Sequence, residues 1–170
     1  PHARQVAVGI SRDPNFGPVI SFGAGGIAAE LCTDRQIALP PLNDYLAREL
    51  IAGTRAFAPG NRFNNVPEAD IEKLVESLRR VSEMACELPE IQTLDIDPLL
   101  VDERGATAVE ARITVAAPRS ATSRYSHMAI HPYPPGLETN WQLSEDTTVL
   151  IRPIRPEDAN TERDFVDNLS

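Results

Sequence analysis

The chain has 170 residues, with 25 acidic and 16 basic side chains and a formal net charge of −9. This acidity argues against broad nucleic-acid binding, because a phosphate backbone requires a basic surface. No apolar run approaches the roughly 20 residues that cross a bilayer, and the start carries no signal-peptide pattern. Two cysteines, Cys32 and Cys86, make neither a disulfide framework nor a zinc site. We therefore expect a cytoplasmic protein without nucleic-acid or membrane partners. Because it starts at Pro1, we expect a piece of a longer chain.

Short strands dominate the first part of the chain. Alternating Val6, Val8 and Ile10 predict a half-buried strand, and the turn residues at 12–18 lead into a second strand that pairs with it. The predicted strands of this part are 5–10, 19–22, 27–31 and 36–39.

Two helices are expected next. Asn43 can cap a helix that runs to about Phe57. Pro67 suits the first turn of a second, longer helix. The apolar residues of that helix recur at helical spacing, so we assign them to the core: Ile71, Leu74, Val75, Leu78, Val81 and Ala85.

Residues 90–101 and 106–115 predict a β-hairpin. We take 102–105 as its loop, with Gly105 free to adopt a positive φ. Counting back from this loop gives one apolar face and one polar face. The polar face carries Thr93, Asp95, Asp97, Glu110, Arg112 and Thr114.

This register sets Asp97 opposite Glu110 and Asp95 opposite Arg112. Two carboxylates that face each other across strands repel, and a hard divalent cation would remove the repulsion. The pattern is compatible with a Mg²⁺ site at Asp97 and Glu110, and also with a solvated acidic face. Asp95 and Arg112 predict a cross-strand ion pair, which competes with a catalytic role for Asp95. A slip of one residue would separate the two carboxylates.

A glycine cluster follows the second strand. Gly23, Gly25 and Gly26 would let backbone N–H groups approach phosphates. The cluster matches neither the Walker A pattern nor the dinucleotide-binding fingerprint. From these residues alone, a tight bend in the sheet is the favoured interpretation.

The composition changes after residue 117. Proline and serine recur through 118–145, which predicts an extended linker. A strand at 147–151 and a helix from about 156 to 169 follow. The stretch 146–170 is too short to bury a core of its own, so we expect it to open a second domain.

Three stretches carry a resemblance to a known superfamily. Residues 9–26 are similar to the pattern Gly-Val-x-Arg-Asp-Pro-x-Phe-Gly-Pro-x-x-x-Phe-Gly-x-Gly-Gly of the NDP-forming acyl-CoA synthetases. Residues 94–101 resemble the superfamily's acidic-x-Asn-Pro-Leu-x-Val, and residues 108–112 resemble its Leu-Asp-Ala-Arg/Lys. The resemblance spans about 4–115. It implies an α/β fold, in which residues 1–117 form a partial ATP-grasp subdomain with a mixed or antiparallel sheet and helices.

The resemblance also implies site residues. Asp97 and Glu110 take the positions that hold Mg²⁺ on the phosphates of ATP, and Asp95 takes the catalytic position near the transferring phosphoryl group. The resemblance also implies that four residues of the glycine segment lie in the wall of the nucleotide site: Gly23, Gly25, Gly26 and Glu30. At positions 95, 97 and 110 the superfamily has Glu, Asn and Asp, so this chain departs from it at all three. The departures favour binding over turnover.

Residues 148–159 resemble the first strand and helix start of a GNAT N-acetyltransferase domain. A synthetase-like module followed by such a domain is similar to the bacterial protein lysine acetyltransferases. This resemblance implies acetyl-CoA or CoA as a cofactor, and protein lysines as substrates of the parent protein. The parts expected outside this chain are the other ATP-grasp subdomain, a CoA-binding domain and the rest of the GNAT domain.

Two functions follow from these resemblances. In the first, the chain belongs to a regulatory module of a protein N-acetyltransferase and binds nucleotide phosphates with Mg²⁺, or acyl-CoA. In the alternative, it belongs to an active NDP-forming acyl-CoA synthetase that transfers a phosphoryl group from Mg-ATP. In either case we expect the chain to be inactive alone. A stable proteolytic remnant is a third interpretation.

Overall fold

The computed structural model describes residues 3–26, 34–55, 57, 70–117 and 124–169, in two compact units, 1–131 and 132–170. The strands are β1 (Arg4–Asp13), β2 (Gly17–Ala24), β3 (Arg35–Ala38), β4 (Ile91–Asp102), β5 (Gly105–Ala108), β6 (Ala111–Val115), β7 (Thr139–Ser144) and β8 (Thr147–Ile151). The α-helices are α1 (Asp44–Ala52), α2 (Ile71–Glu87) and α3 (Ala159–Asp167). Among the residues described, no helix is long and apolar enough to cross a membrane.

The first unit is a six-stranded sheet packed with two helices. Its strand order is β3-β2-β1-β4-β5, and β6 also pairs with β4. All of these pairs are antiparallel. The core side chains of the sheet and those of α1 and α2 form one cluster, which includes Val8, Phe22, Leu50, Leu74 and Leu78. The α/β class with helices and an antiparallel sheet is therefore confirmed.

The strands predicted at 5–10, 19–22 and 36–39 coincide closely with β1, β2 and β3. The first of them was expected to be half-buried, whereas residues 6–10 are all buried. The strand expected at 27–31 lies outside the described residues. The turn between β1 and β2 is held by its own side chains: Asp13 Oδ1 accepts from the N–H groups of Asn15 at 2.8 Å and Phe16 at 3.0 Å. Arg12 donates to the carbonyl of Ile91 at 2.8 Å, and burial lowers the pKa of its guanidinium.

Helix α1 begins where its capping residue predicts. Helix α2 begins at Ile71, later than the predicted start at Pro67, which itself lies outside the described residues. Asn43 Oδ1 accepts from Leu46 N–H at 2.9 Å at the start of α1. That helix ends at Gly53, earlier than the predicted end near Phe57, because Thr54 turns the chain back with a hydroxyl bond to Ile51 O at 2.7 Å. Asp70 caps α2 through Lys73 N–H at 3.0 Å.

The second arm of the predicted hairpin is divided into β5 and β6. Its register is as expected, from Val101 opposite Ala106 to Asp95 opposite Arg112. Residues 109 and 110 lie outside the ladder, although Val109 N–H still donates to Pro98 O at 3.1 Å. The continuous strand predicted at 106–115 is therefore wrong, because the partner strand β4 is irregular at this point.

The irregularity of β4 is a β-bulge against β1. Val8 pairs with Ile96 and Val6 pairs with Leu99, so two residues of β4 stand against the single Ala7. The bulge shifts the alternation by one residue, since Leu94 and Leu99 both reach the core. Asp97 and Pro98 occupy the bulge.

The stretch expected to be a linker includes ordered segments in both units. Within the first unit, His127 Nε2 lies 3.1 Å from Ala85 O, Tyr125 donates to Glu87 at 2.8 Å, and Met128 is buried. In the second unit, β7 falls in the same stretch, because residues 139–144 pair with the predicted strand at β8.

The second unit is a hairpin followed by a helix. Arg152 makes two hydrogen bonds of 2.7 Å to the Asp158 carboxylate, which lower the pKa of Asp158 to about 2. Trp141, Leu143 and Phe165 are exposed, and this unit contains no buried residue among those described. It therefore has little apolar core of its own, as its length predicted.

Candidate functional site

The face of the sheet that points away from the core is called the open face here. The register sets Ser21, Gly9, Asp95 and Arg112 side by side on β2, β1, β4 and β6. Their strand neighbours Phe22, Val8 and Leu94 point into the core. Because successive residues of a strand point to opposite faces, the row that contains Asp95 lies on the open face.

Asp95 and Arg112 are register partners, as predicted, but the ion pair expected between them is wrong. Arg112 Nη2 instead lies 3.0 Å from Glu110 Oε1. Within the part of the chain that the structure describes, Arg112 has no salt bridge to Asp95. Glu110 lies two residues before Arg112, just ahead of β6, so it reaches the guanidinium without crossing to β4. The competing partner assigned to Asp95 is thereby removed.

Asp97 and Glu110, the predicted cation ligands, occupy matching positions in the interrupted ladder between β4 and β6. Each already has a partner from the protein. Asp97 is half-buried, and its Oδ1 accepts from Gly26 N–H at 2.7 Å. Glu110 is exposed and is held by Arg112. Across the described ranges, no three His, Cys, Asp or Glu side chains form a metal-binding group. The assignment of Mg²⁺ to these two residues stays a prediction.

The glycine loop, defined as residues 23–26, leaves the end of β2 and reaches across β1. Gly25 N–H donates to Gln5 O at 3.0 Å. A β-carbon at Gly25 would lie 2.4 Å from Val6 O, so the loop and β1 are in direct backbone contact. Gly26 has a φ of +59°, a conformation that favours glycine. The close approach that requires glycine is made by the protein's own backbone, which supports the interpretation as a tight bend.

Two other residues were predicted to belong to the nucleotide site, Gly23 and Glu30. Gly23 pairs with Ala7 on one side and with Arg35 on the other. Glu30 lies outside the described residues. The phosphate-binding roles of the glycines and of Glu30 stay predictions.

Sequence reasoning missed the bond between the glycine loop and the polar strand. The two motifs are 71 residues apart in the chain, and nothing in their sequence indicates that Gly26 and Asp97 are joined directly. It also missed Gln5, whose carbonyl holds the loop at Gly25. Pro98 was a usable signal, because a proline inside a strand indicates a bulge or an edge. The bulge turns Asp97 out of the regular alternation, beside the loop.

Comparison with known proteins covers this same part of the chain. The model of the ATP-grasp domain family matches residues 1–115. The beta subunit of acetate–CoA ligase [ADP-forming] I of Pyrococcus furiosus is 38% identical over 113 residues, which are 66% of this chain and 49% of that protein. The 4-hydroxybutyrate–CoA ligase [ADP-forming] of Nitrosopumilus maritimus is 34% identical over 102 residues, 60% of this chain and 15% of that protein. The chain thus spans about half of the first relative and much less of the second.

A similar solved structure is the dinucleotide-forming acetyl-coenzyme A synthetase 1 of Ca. Korarchaeum cryptofilum, in complex with coenzyme A and Mg-AMPPCP. It has a TM-score of 0.63 and 31% sequence identity, and the match covers 68% of this chain and 55% of that chain. The α/β architecture with an antiparallel sheet therefore matches an ATP-grasp fragment of this synthetase class.

Proposed function

We propose, because this chain belongs to the ATP-grasp domain family, that it supplies part of the Mg-nucleotide site of an ADP-forming acyl-CoA synthetase. The observation that carries the proposal is the junction of the glycine loop with β4. The two most specific motifs of the chain meet there in one hydrogen bond, between Gly26 and Asp97. The relatives named above are CoA ligases of the ADP-forming type, which supports this reaction class.

The proposed cation ligands are Asp97 and Glu110. Mg²⁺ is usually held by one or two carboxylates together with substrate phosphates and water, so two residues are enough. Asp97 fits, because a carboxylate that accepts one N–H still offers its second oxygen. Glu110 fits if the cation replaces Arg112 as its partner, and their exposed ion pair is weak enough to allow the exchange. When bound, Mg²⁺ would neutralise phosphate charge.

Asp95 is the proposed catalytic carboxylate. It is exposed on the open face and is register partner to Gly9, which has no side chain to cover it. A phosphoryl group laid on the open face could therefore approach Asp95 directly. The glycine loop, which begins at Gly23 in β2, would border the phosphates at one side of this surface.

The complete synthetase would use ATP, Mg²⁺ and CoA. One relative is a beta subunit, and the solved synthetase was bound to coenzyme A and Mg-AMPPCP. We extend these ligands to the protein that contains this chain, together with a second ATP-grasp subdomain and a CoA-binding domain as partners. ATP and CoA as substrates favour a cytoplasmic location.

A second candidate function rests on the second unit. In this unit β8 is followed by a turn and then α3, an order that is compatible with the start of a GNAT domain. The family match ends at residue 115 and leaves this unit unassigned. The candidate parent is a protein lysine acetyltransferase, in which the ATP-grasp unit would be regulatory.

Two assays on the complete protein separate these candidates. A synthetase should release ADP and form acyl-CoA when it is given ATP, Mg²⁺, CoA and a short carboxylic acid. An acetyltransferase should move the acetyl group from acetyl-CoA to lysine without ATP. ADP release that depends on the carboxylic acid supports the first function, and lysine acetylation without ADP release supports the second.

A further inference from the structure

The glycine loop is fastened to β4 by a single carboxylate. Gly26 N–H donates to Asp97 Oδ1 at 2.7 Å, between residues 71 positions apart in the chain. This distance lies at the short end for a bond from N–H to a charged oxygen, which is stronger than a bond between neutral groups. Because β1 lies between β2 and β4 in the sheet, this bond joins β4 to the loop that follows a strand that is not its neighbour.

The carboxylate is fixed in place by the backbone around it. Asp97 lies in the bulge opposite Ala7, and the next residue, Pro98, accepts from Val109 N–H at 3.1 Å. The loop fits closely against it, since a β-carbon at Gly25 would lie 2.9 Å from Asp97 Oδ1. The bond is thus one part of a packed junction.

We infer that Asp97 is a positioning residue for the glycine loop, and that it clasps the loop through Gly26 N–H before any ligand binds. The clasp itself stands on this geometry alone, and only its coupling to Mg²⁺ rests on the proposed function. An aspartate has two carboxylate oxygens and can hold Gly26 and a cation together. The Asp at position 97 therefore links loop order to cation binding.

Amide hydrogen exchange on the ¹⁵N-labelled chain of 170 residues tests the clasp without metal or nucleotide. The wild-type Gly26 amide should be protected. Asp97→Ala should lower that protection about tenfold or more, because the N–H loses its acceptor. Asp97→Asn should keep it within about threefold, since its side-chain oxygen can still accept. The control Asp102→Ala removes a carboxylate that holds Arg104 N–H at 2.8 Å on the same strand, and should leave Gly26 unchanged.

Gly25, which donates to the backbone of Gln5, is the internal reference. An unprotected Gly26 amide in the wild type would overturn the clasp, and so would equal losses at Gly25 and Gly26 in Asp97→Ala. If that variant does not fold, loss of Gly26 protection in folded Asp97→Asn would contradict it. Failure of the proposed function has a different signature: the clasp is intact, and the complete protein shows no Mg²⁺-dependent nucleotide binding.

Discussion

Arg112 stands opposite Asp95 in the register of β4 and β6, yet its guanidinium pairs with Glu110, 3.0 Å away on its own side of the hairpin. Arg112 therefore occupies the carboxylate of Glu110 and leaves Asp95 exposed on the open face. If Glu110 is a cation ligand, Arg112 competes with the cation for the same carboxylate.

Replacing Arg112 should therefore strengthen Mg²⁺ binding. Arg112→Gln should lower the Mg²⁺ concentration that half-saturates nucleotide binding in the complete protein, by up to about fivefold, which is what an exposed ion pair is worth. The matched control is Arg104→Gln, which removes the same charge from the turn of the same hairpin. Equal Mg²⁺ requirements in wild type and Arg112→Gln would remove Glu110 from the site.

Ser82 should contribute measurably to the free energy of unfolding of the first unit. Its hydroxyl accepts from Leu42 N–H at 2.7 Å, and the side chain is buried in α2. Ser82→Ala leaves that N–H without an acceptor, so we expect a loss of about 1–3 kcal/mol in the free energy of unfolding. Urea unfolding gives the value. Ser77→Ala, which removes an exposed hydroxyl from the same helix, should change it by less than about 0.5 kcal/mol.

The absence of a side chain at Gly17 should allow the segment 124–131 to pack closely against the sheet. Its φ is +73°, and a β-carbon there would lie 2.1 Å from His127 O. Gly17→Ala should cost at least about 1 kcal/mol in unfolding free energy and should displace the segment, so that trypsin cuts faster after Arg124. Gly136→Ala is the control, since nothing lies within 4 Å of the added carbon. Unchanged cleavage in Gly17→Ala would show that the segment is not held there.

Cys86 should make the fold less stable in alkaline solution. Burial raises the pKa of its thiol from 9.0 to about 11, so the unfolded chain loses this proton first as the pH rises. The contribution is fully present below pH 9.0 and is lost as the pH rises toward about 11. In a Cys32→Ser background, the melting temperature should fall more steeply over this range than it does in the additional variant Cys86→Ala. Parallel curves for the two proteins would contradict the shift.

Those parts of the sheet that depend on local sequence signals were predictable. Alternation gave β1 and β2, and the turn before Gly105 fixed the register that pairs Val101 with Ala106. Asn43 marked the start of α1, but Gly53 and Thr54 ended it early through contacts that only the folded chain makes. Strand β7 was missed because the prolines and serines around it dominate the composition of that stretch.

For the candidate site, the sequence predicted where the residues lie in the hairpin but not which contacts they make. The spacing placed Asp97 and Glu110 at matching positions, but it gave no sign that Arg112 would choose Glu110. Which ion pair forms between exposed side chains depends on small differences in side-chain geometry and energy. The register of the strands does not determine these differences. The bond between Gly26 and Asp97 depends on a bulge between β1 and β4, so it follows from packing across strands that are distant in sequence.

Calorimetric titration of the complete protein with AMPPCP tests most directly whether this chain supplies part of a Mg-nucleotide site. With Mg²⁺ the wild type should bind the analogue at least about tenfold more tightly than without it, a difference of about 1.4 kcal/mol. Asp97→Ala and Glu110→Ala should lose that gain, and Asp102→Ala should keep it. Equal affinities in all four proteins, with and without Mg²⁺, would contradict the account.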